Sequence, residues 1–427
     1  MKSVTFKISF LFPAVLFLFA GIFRSPGKAM AIAADSIPQQ KEKSFHKPLL
    51  TGNFFTQFRK GFNDRNDKNR ASAYFDYGFS PILLWKISKR FFIESELEAK
   101  SLRGKAHIKV GYADVNFIAA KFLTLQAGNF LSPLGTYQER LHPMWINKLP
   151  EVPMGFGHDD LLPVTETGAN IRGGFSVLKS KLNYCFFVSN GPILSDGHHL
   201  KRTEGMLLYS DEDTSMLGFL NLKKNYKDNN SNKATGGRIG ILPFPNSSFE
   251  IGVWGETAVV GDRFKAHVHT FPAGTPHIDE PDYSNVQSRI YGFDFSCLKK
   301  VSFLKGMIDI KGQWNEIKTG YSKYLNTYDT SGVVWSYAFA NHSIDYYAQC
   351  AYHLSFFENN ILNKSEFCFR YSYIKTPKGS LWEKEIKQYT IGYNYWINWH
   401  SVLKLAFQME NGTQARQVVL LQWAMGF

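Results

Sequence analysis

The chain reads as all-β, a transmembrane antiparallel β-barrel of about 16 strands, or 18, and three observations lead there. Period-2 alternation recurs from about residue 49 to the end of the sequence. The apolar face is aromatic: Phe, Tyr and Trp make up 16% of residues, while cysteines number four. At the C-terminus, Val419, Leu421, Trp423, Met425 and Phe427 share one face of an extended strand that runs to the last residue. A strand wetted by lipid on one face must still pair along both edges, which only a closed sheet provides.

Taken in order, Lys2 and Lys7 precede the apolar run Ile8–Phe23, the length of a signal-peptide core, and small residues at Ala29, Ala31 and Ala33 suit signal peptidase. Residues 1–33 are therefore expected to be an export signal, with an uncleaved anchor as the alternative because Arg24 and Lys28 separate core from cleavage site. Residues 34–48 are polar and proline-flanked, a short leader. Residues 49–427 are the expected barrel. No other segment approaches the ~18 apolar residues of a spanning helix, which excludes a helical membrane bundle.

The strand pattern is cleanest toward the C-terminus. Phe367, Phe369, Tyr371 and Tyr373 oppose Glu366, Cys368, Arg370 and Ser372; Tyr389, Ile391, Tyr393 and Tyr395 oppose Gln388, Thr390, Gly392 and Asn394; Leu403, Leu405, Phe407 and Met409 oppose Lys404, Ala406, Gln408 and Glu410. Earlier, Leu182, Tyr184, Phe186 and Val188 oppose Asn183, Cys185 and Ser189, and Ala113, Val115 and Phe117 oppose Asp114 and Asn116. Asn398-Trp399-His400, Asn411-Gly412-Thr413 and Glu358-Asn359-Asn360 read as tight antiparallel connections. A soluble sandwich also alternates. Strand number decides for the barrel, together with Tyr389, Tyr395, Trp396, Trp399 and Trp423 near strand ends, where interfacial girdles sit. The stretches 130–165, 190–203, 260–286 and 318–331 are the expected long loops.

Charge and motifs narrow the function. The formal net charge of +13 comes from scattered Lys and Arg without a nucleic-acid-binding pattern, so no nucleic acid is expected. Anionic lipopolysaccharide or anionic solutes are the better partners for it. No Gly-x-Ser-x-Gly run occurs, and no catalytic residue is assigned. His267, His269 and His277 with Asp279, Glu280 and Asp282 match no defined metal spacing, so neither metal nor cofactor is expected. Alternation sends Cys350 to lipid and Cys368 inward, which argues against a bridge between them.

If the aromatic face meets lipid, the opposite face carries Lys100, Arg172, Arg238, Lys311, Arg370 and Lys404. It also carries Glu94, Glu96, Glu98, Asp114, Glu250, Glu256, Asp294, Asp309, Asp345, Glu366 and Glu410. Glu94, Glu96 and Glu98 form a one-sided stripe, either a cation-attracting lining or a set of partners for bases on neighbouring strands.

The apolar terminal strand ending in Phe427 resembles that of bacterial outer-membrane proteins, which implies the outer membrane of a Gram-negative-type bacterium. Ala127-Gly128-Asn129-Phe130-Leu131-Ser132-Pro133-Leu134-Gly135 resembles the strand-to-loop junction of Gram-negative porins of the phosphate-selective type, with its A-G-x-F-x-x-P-x-G run. That resemblance implies a homo-trimer of water-filled barrels, each passing small hydrophilic solutes or ions by passive diffusion past a loop folded into the lumen. The candidate constriction loop is 130–164, with Arg140, His142, Lys148, Asp159 and Asp160; the alternative is a loop packed over the rim. Acids outnumber bases on the inward face, so phosphate selectivity is not carried over. The other class of reading is a structural or adhesive barrel with a plugged lumen.

Overall fold

Sixteen strands form one antiparallel sheet that closes on itself. The computed structural model describes residues 48–62, 73–102, 105–156, 161–194, 200–203, 206–209, 220–221, 228, 230–261, 286–320, 323–326, 335–338, 341–378, 383–412 and 415–427. The export signal, nearly all of the leader, Asp159, Asp160 and the histidines at 267–277 lie outside these residues.

The barrel strands are β1 (Leu49–Phe62), β2 (Ala73–Lys86), β3 (Phe91–Leu102), β4 (Lys105–Ala120), β5 (Leu123–Leu131), β6 (Thr165–Val177), β7 (Ser180–Ser189) and β8 (Ala234–Leu242). They continue as β9 (Phe249–Val259), β10 (Gln287–Val301), β11 (Gly306–Thr319), β12 (His342–His353), β13 (Ser365–Lys375), β14 (Glu385–Asn398), β15 (Ser401–Gly412) and β16 (Arg416–Gly426). Each pairs with the next, and β16 returns to β1. Short two-stranded pairs, 193–194 with 220–221, 200–203 with 206–209 and 323–326 with 335–338, sit in the β7–β8 and β11–β12 connections.

The four longest connections, 132–164, 190–233, 260–286 and 320–341, share one end of the barrel, which also carries the short links 103–104 and 413–415. Trp399–His400 joins β14 to β15 tightly, while the β12–β13 link is longer, 354–364, and is shaped by Asn359, whose Oδ1 accepts from the Ile361 N–H at 2.8 Å. Both chain ends of the sheet lie at the turn end, where the seam closes. The Gly52 N–H donates to the Phe427 carbonyl at 3.2 Å, the Phe427 N–H donates back at 3.1 Å, and the Phe427 ring stacks on Phe79 with centroids 5.5 Å apart.

Along β13 to β16, the aromatic and aliphatic set points outward and the polar set inward, because lipid accepts the first and only a wet or packed lumen accepts the second. Cys350 is exposed and Cys368 buried, on opposite faces, and both are free thiols. In β4 the alternation changes phase. Glu96 pairs with Tyr112 and Leu97 with Val110, leaving Gly111 as a bulge, so Ile108 and Val110 face out while Lys109 faces in beside Glu98. This phase change is why the N-terminal half alternates less sharply in sequence.

Replacing the outward Leu405, at mid-strand, with Arg is expected to destabilise the barrel by about 2–4 kcal/mol. Urea titration in lipid vesicles measures it.

Candidate functional site

The β5–β6 connection, residues 132–164, turns into the barrel. Its base is closed by the Ser132 N–H donating to the Val164 carbonyl at 3.0 Å. Gly135, at φ +86°, makes the inward turn against the Gln313 side chain, where a Cβ would collide. Gln313 then holds the chain at two points: its Nε2 donates to the Leu134 carbonyl at 3.2 Å and its Oε1 accepts from the Tyr137 N–H at 3.3 Å. A helical turn at Tyr137–Leu141 follows.

From Met144 to Val152 the loop lies along the inner wall of β13 to β16. This backbone is irregular at membrane depth, so its carbonyls must find donors in the wall. Arg370 donates to the Glu151 and Val152 carbonyls at 2.8 and 3.2 Å, and Lys404 to those of Met144 and of Asn147, the latter at 2.6 Å. Asn394 donates to the Lys148 carbonyl at 2.9 Å and Gln422 to that of Pro150 at 3.1 Å. Glu151 reaches Arg59 across the barrel seam. Lys148 pairs with Glu366 at 2.6 Å. Leu149, fully buried, fills the space between Ala351, Cys368, Ala406, Val418 and Leu420.

The next part of the loop is apolar. Leu134, Tyr137, Met154, Phe156, Leu161 and Leu162 pack on inward residues at the loop end of β5 to β14, among them Phe130, Phe187, Ile290, Ile317, Ile374 and Ile386. At the loop end of β15, β16, β3 and β4, by contrast, the inward faces are charged. Glu98 pairs with Lys100 at 2.6 Å and Lys109 at 3.5 Å, Arg416 with Glu410 at 2.5 Å, and His142 lies 3.5 Å from Glu96. Tyr112 donates to Glu94 at 2.7 Å.

Toward the turn end, a cavity of about 450 Å³ opens beside the loop. Its charged lining is Glu94, Glu139, Arg140, Arg172 and Arg238, with Asn116, Gln126 and Asn183 between them. Arg172 pairs with Glu139 at 2.9 Å and Arg140 with Glu250 at 2.7 Å. Arg238 is held by Asp294 at 2.6 Å and Glu250 at 3.0 Å, the geometry that lets a guanidinium stay charged in a partly dry site.

The structure thus brings Glu94, Arg172 and Arg238 together with Arg140 at the cavity, and sets Glu96, Glu98 and Lys100 in the charged sector. Asp114 is buried beside Asn116, and Asp309 and Lys311 pair with each other on the inner face of β11. Arg370 and Lys404 point inward, as their parity predicts, but are 0% and 1% exposed, because the loop lies over them. Glu139, Tyr112 and Asn183 were not singled out as charged or catalytic candidates. Loop geometry hides Glu139 from any period-2 count, whereas Tyr112 shares the inward parity of Asp114 and Asn116, a signal that alternation does carry.

Replacing Lys404 or Arg370 with Met leaves loop carbonyls without donors, at a cost of about 1–3 kcal/mol each. Amide hydrogen exchange of residues 144–152 is expected to quicken in either variant, while exchange in β6 to β9 stays as in the parent.

No family model matches the sequence, and no curated protein does. Solved structures with a similar course include a loop L8 deletion mutant of OmpT, an outer membrane protein of Vibrio cholerae, at 9% identity over 89% of this chain and 99% of that one, with a TM-score of 0.48. The anion-selective porin from Comamonas acidovorans is similar at 11% identity, 89% and 99% coverage and a TM-score of 0.48. Salmonella typhi OmpF in complex with daunomycin is similar at 10% identity, 89% and 98% coverage and a TM-score of 0.49. At these values the likeness carries no argument, and the fold rests on the strand pairing of this chain.

Proposed function

We propose that the chain is an outer-membrane porin, a channel for passive diffusion of small hydrophilic solutes or ions, working as a homo-trimer. The observation that carries this reading is the polar space beside the docked loop: the cavity at Glu94, Arg140 and Arg172, next to a charged sector on β15, β16, β3 and β4. An exterior of exposed Leu, Ile, Phe and Trp supports a lipid surround, which a barrel of this size tolerates only with its interior wetted or filled.

The mechanism needs no reacting group. Solute follows its gradient, and the loop narrows the lumen to the side that it leaves uncovered. There, Arg140 and Arg172 line the cavity together with Glu94 and Glu139, so the lining is mixed in sign. Such a lining orients dipolar solutes and biases, without excluding, either ion. Phosphate selectivity finds no support, because the bases at the cavity are paired with acids and Arg370 and Lys404 are occupied by the loop.

A second reading, a structural or adhesive barrel with a plugged lumen, draws on the apolar packing of the loop against β5 to β14. Conductance separates the two. Purified, heat-modifiable protein in a planar bilayer is expected to open in uniform steps; folded protein that opens no channel would sink the porin reading. Under a salt gradient, Arg140→Gln with Arg172→Gln is expected to move the reversal potential toward cations by several millivolts. The Glu94, Glu96 and Glu98 to Gln variant should move it the other way.

A further inference from the structure

We propose that the outer face of β10 to β14, at the loop end, is a binding site for the phosphorylated headgroup of an outer-leaflet glycolipid. This inference rests on the membrane placement of the barrel and not on solute passage. Strand register carries it. Arg289 on β10 pairs directly with Lys318 on β11, and Lys318 with His342 on β12, so the three side chains stand side by side on the lipid-facing surface. Neighbouring Cα atoms across such pairs are about 4.5–5.5 Å apart. Lys375 on β13 and Lys387 on β14 continue the arc, at positions opposite Ile344 and Tyr373.

All of these point away from the lumen: Arg289 and Lys387 are exposed, and the Lys318 and Lys375 side chains are 53% and 49% exposed. Two carboxylates share the arc. Glu316 holds Lys318 at 2.6 Å and His342 at 2.8 Å, and Glu385 holds Lys375 at 3.3 Å. Arg289 and Lys387 have no ion-pair partner among the described residues, so the arc keeps a positive excess. Lys318 also donates to the Tyr291 hydroxyl at 2.6 Å, which fixes its ammonium at the surface.

The level of the arc identifies its occupant. Immediately toward the membrane centre, Tyr291, Tyr346, Tyr371, Tyr373 and Tyr389 form an outward belt, with Tyr346 on Tyr373 at 5.0 Å and Tyr371 on Tyr389 at 5.1 Å. Outward tyrosines sit where acyl chains give way to headgroups. Cations one step beyond them meet phosphate, and they do so from the sheet itself, without a loop.

Along one neighbouring row, the described residues of β6 to β9 carry no cation. In the same hydrogen-bonded row, Arg289 is opposite Thr257 on β9, which is opposite Thr235 on β8, then Val188 on β7 and Ala169 on β6.

The test uses detergent-folded protein and diphosphorylated lipid A, with retained lipid read by native mass spectrometry. Arg289→Gln, Lys318→Gln and Lys387→Gln together are expected to weaken retention about a hundredfold, roughly fivefold per cation. Thr235→Gln with Thr257→Gln should leave it unchanged. Phosphatidylglycerol in place of lipid A should bind more weakly, and inorganic phosphate should not displace the lipid. Retention by the triple variant equal to the parent's would overturn the site, as would phosphatidylglycerol binding as tightly as lipid A or displacement by free phosphate. If the triple variant loses heat-modifiable migration, Lys387→Gln alone decides by the presence or absence of its fivefold loss.

Discussion

Every peptide group in this molecule that lies at membrane depth must find its hydrogen-bond partner within the protein, because the hydrocarbon offers none. That constraint closes β16 onto β1, and it also governs the irregular segment inside the barrel. The segment from Met144 to Val152 has no ladder to join, so its carbonyls are met by Lys404, Arg370, Asn394 and Gln422. A buried cation is costly unless its donors are engaged. Here the loop carbonyls engage Lys404 and the Nη2 of Arg370, while Arg370 Nε and Nη1 stay buried without a partner among the described residues.

The same constraint divides the interior. Over β5 to β14 the loop end of the lumen is packed with apolar side chains, and over β15, β16, β3 and β4 it stays charged. The exterior has its own division, with cations over β10 to β14 and threonine, valine and alanine over β6 to β9. Interior and exterior are decoupled because successive residues of a strand serve different solvents. Ile290 faces the packed lumen while its neighbours Arg289 and Tyr291 face outward.

Most of the fold was legible because a lipid-facing strand writes its orientation into every second residue. Leu403, Leu405 and Phe407 declare their side without any knowledge of neighbours, and the long loops fall where alternation lapses. What alternation does not encode is the third dimension of the lumen. Parity points Arg370 and Lys404 inward just as it points Arg172 and Arg238 inward, yet the first two lie under the loop and the second two border open space. That difference depends on which wall the segment after Gly135 lies against, and the contacts deciding it are between residues more than two hundred positions apart. The bulge at Gly111 is a second blind spot, since one unpaired residue reverses the phase of all of β4 before it.

The seam between Gly52 and Phe427 also orders events in time. The last strand in chain order supplies the partner for the first, so β1 keeps an open edge until the rest of the sheet is laid down. Without the β16–β1 pairing the sheet has exposed strand edges, and that pairing spans nearly the whole contour of the polypeptide. Such long-range pairing is slow and exposes the chain to aggregation while it waits. The price of a sheet with no edges is that its two most distant strands must meet, and the Gly52–Phe427 pair marks where they do.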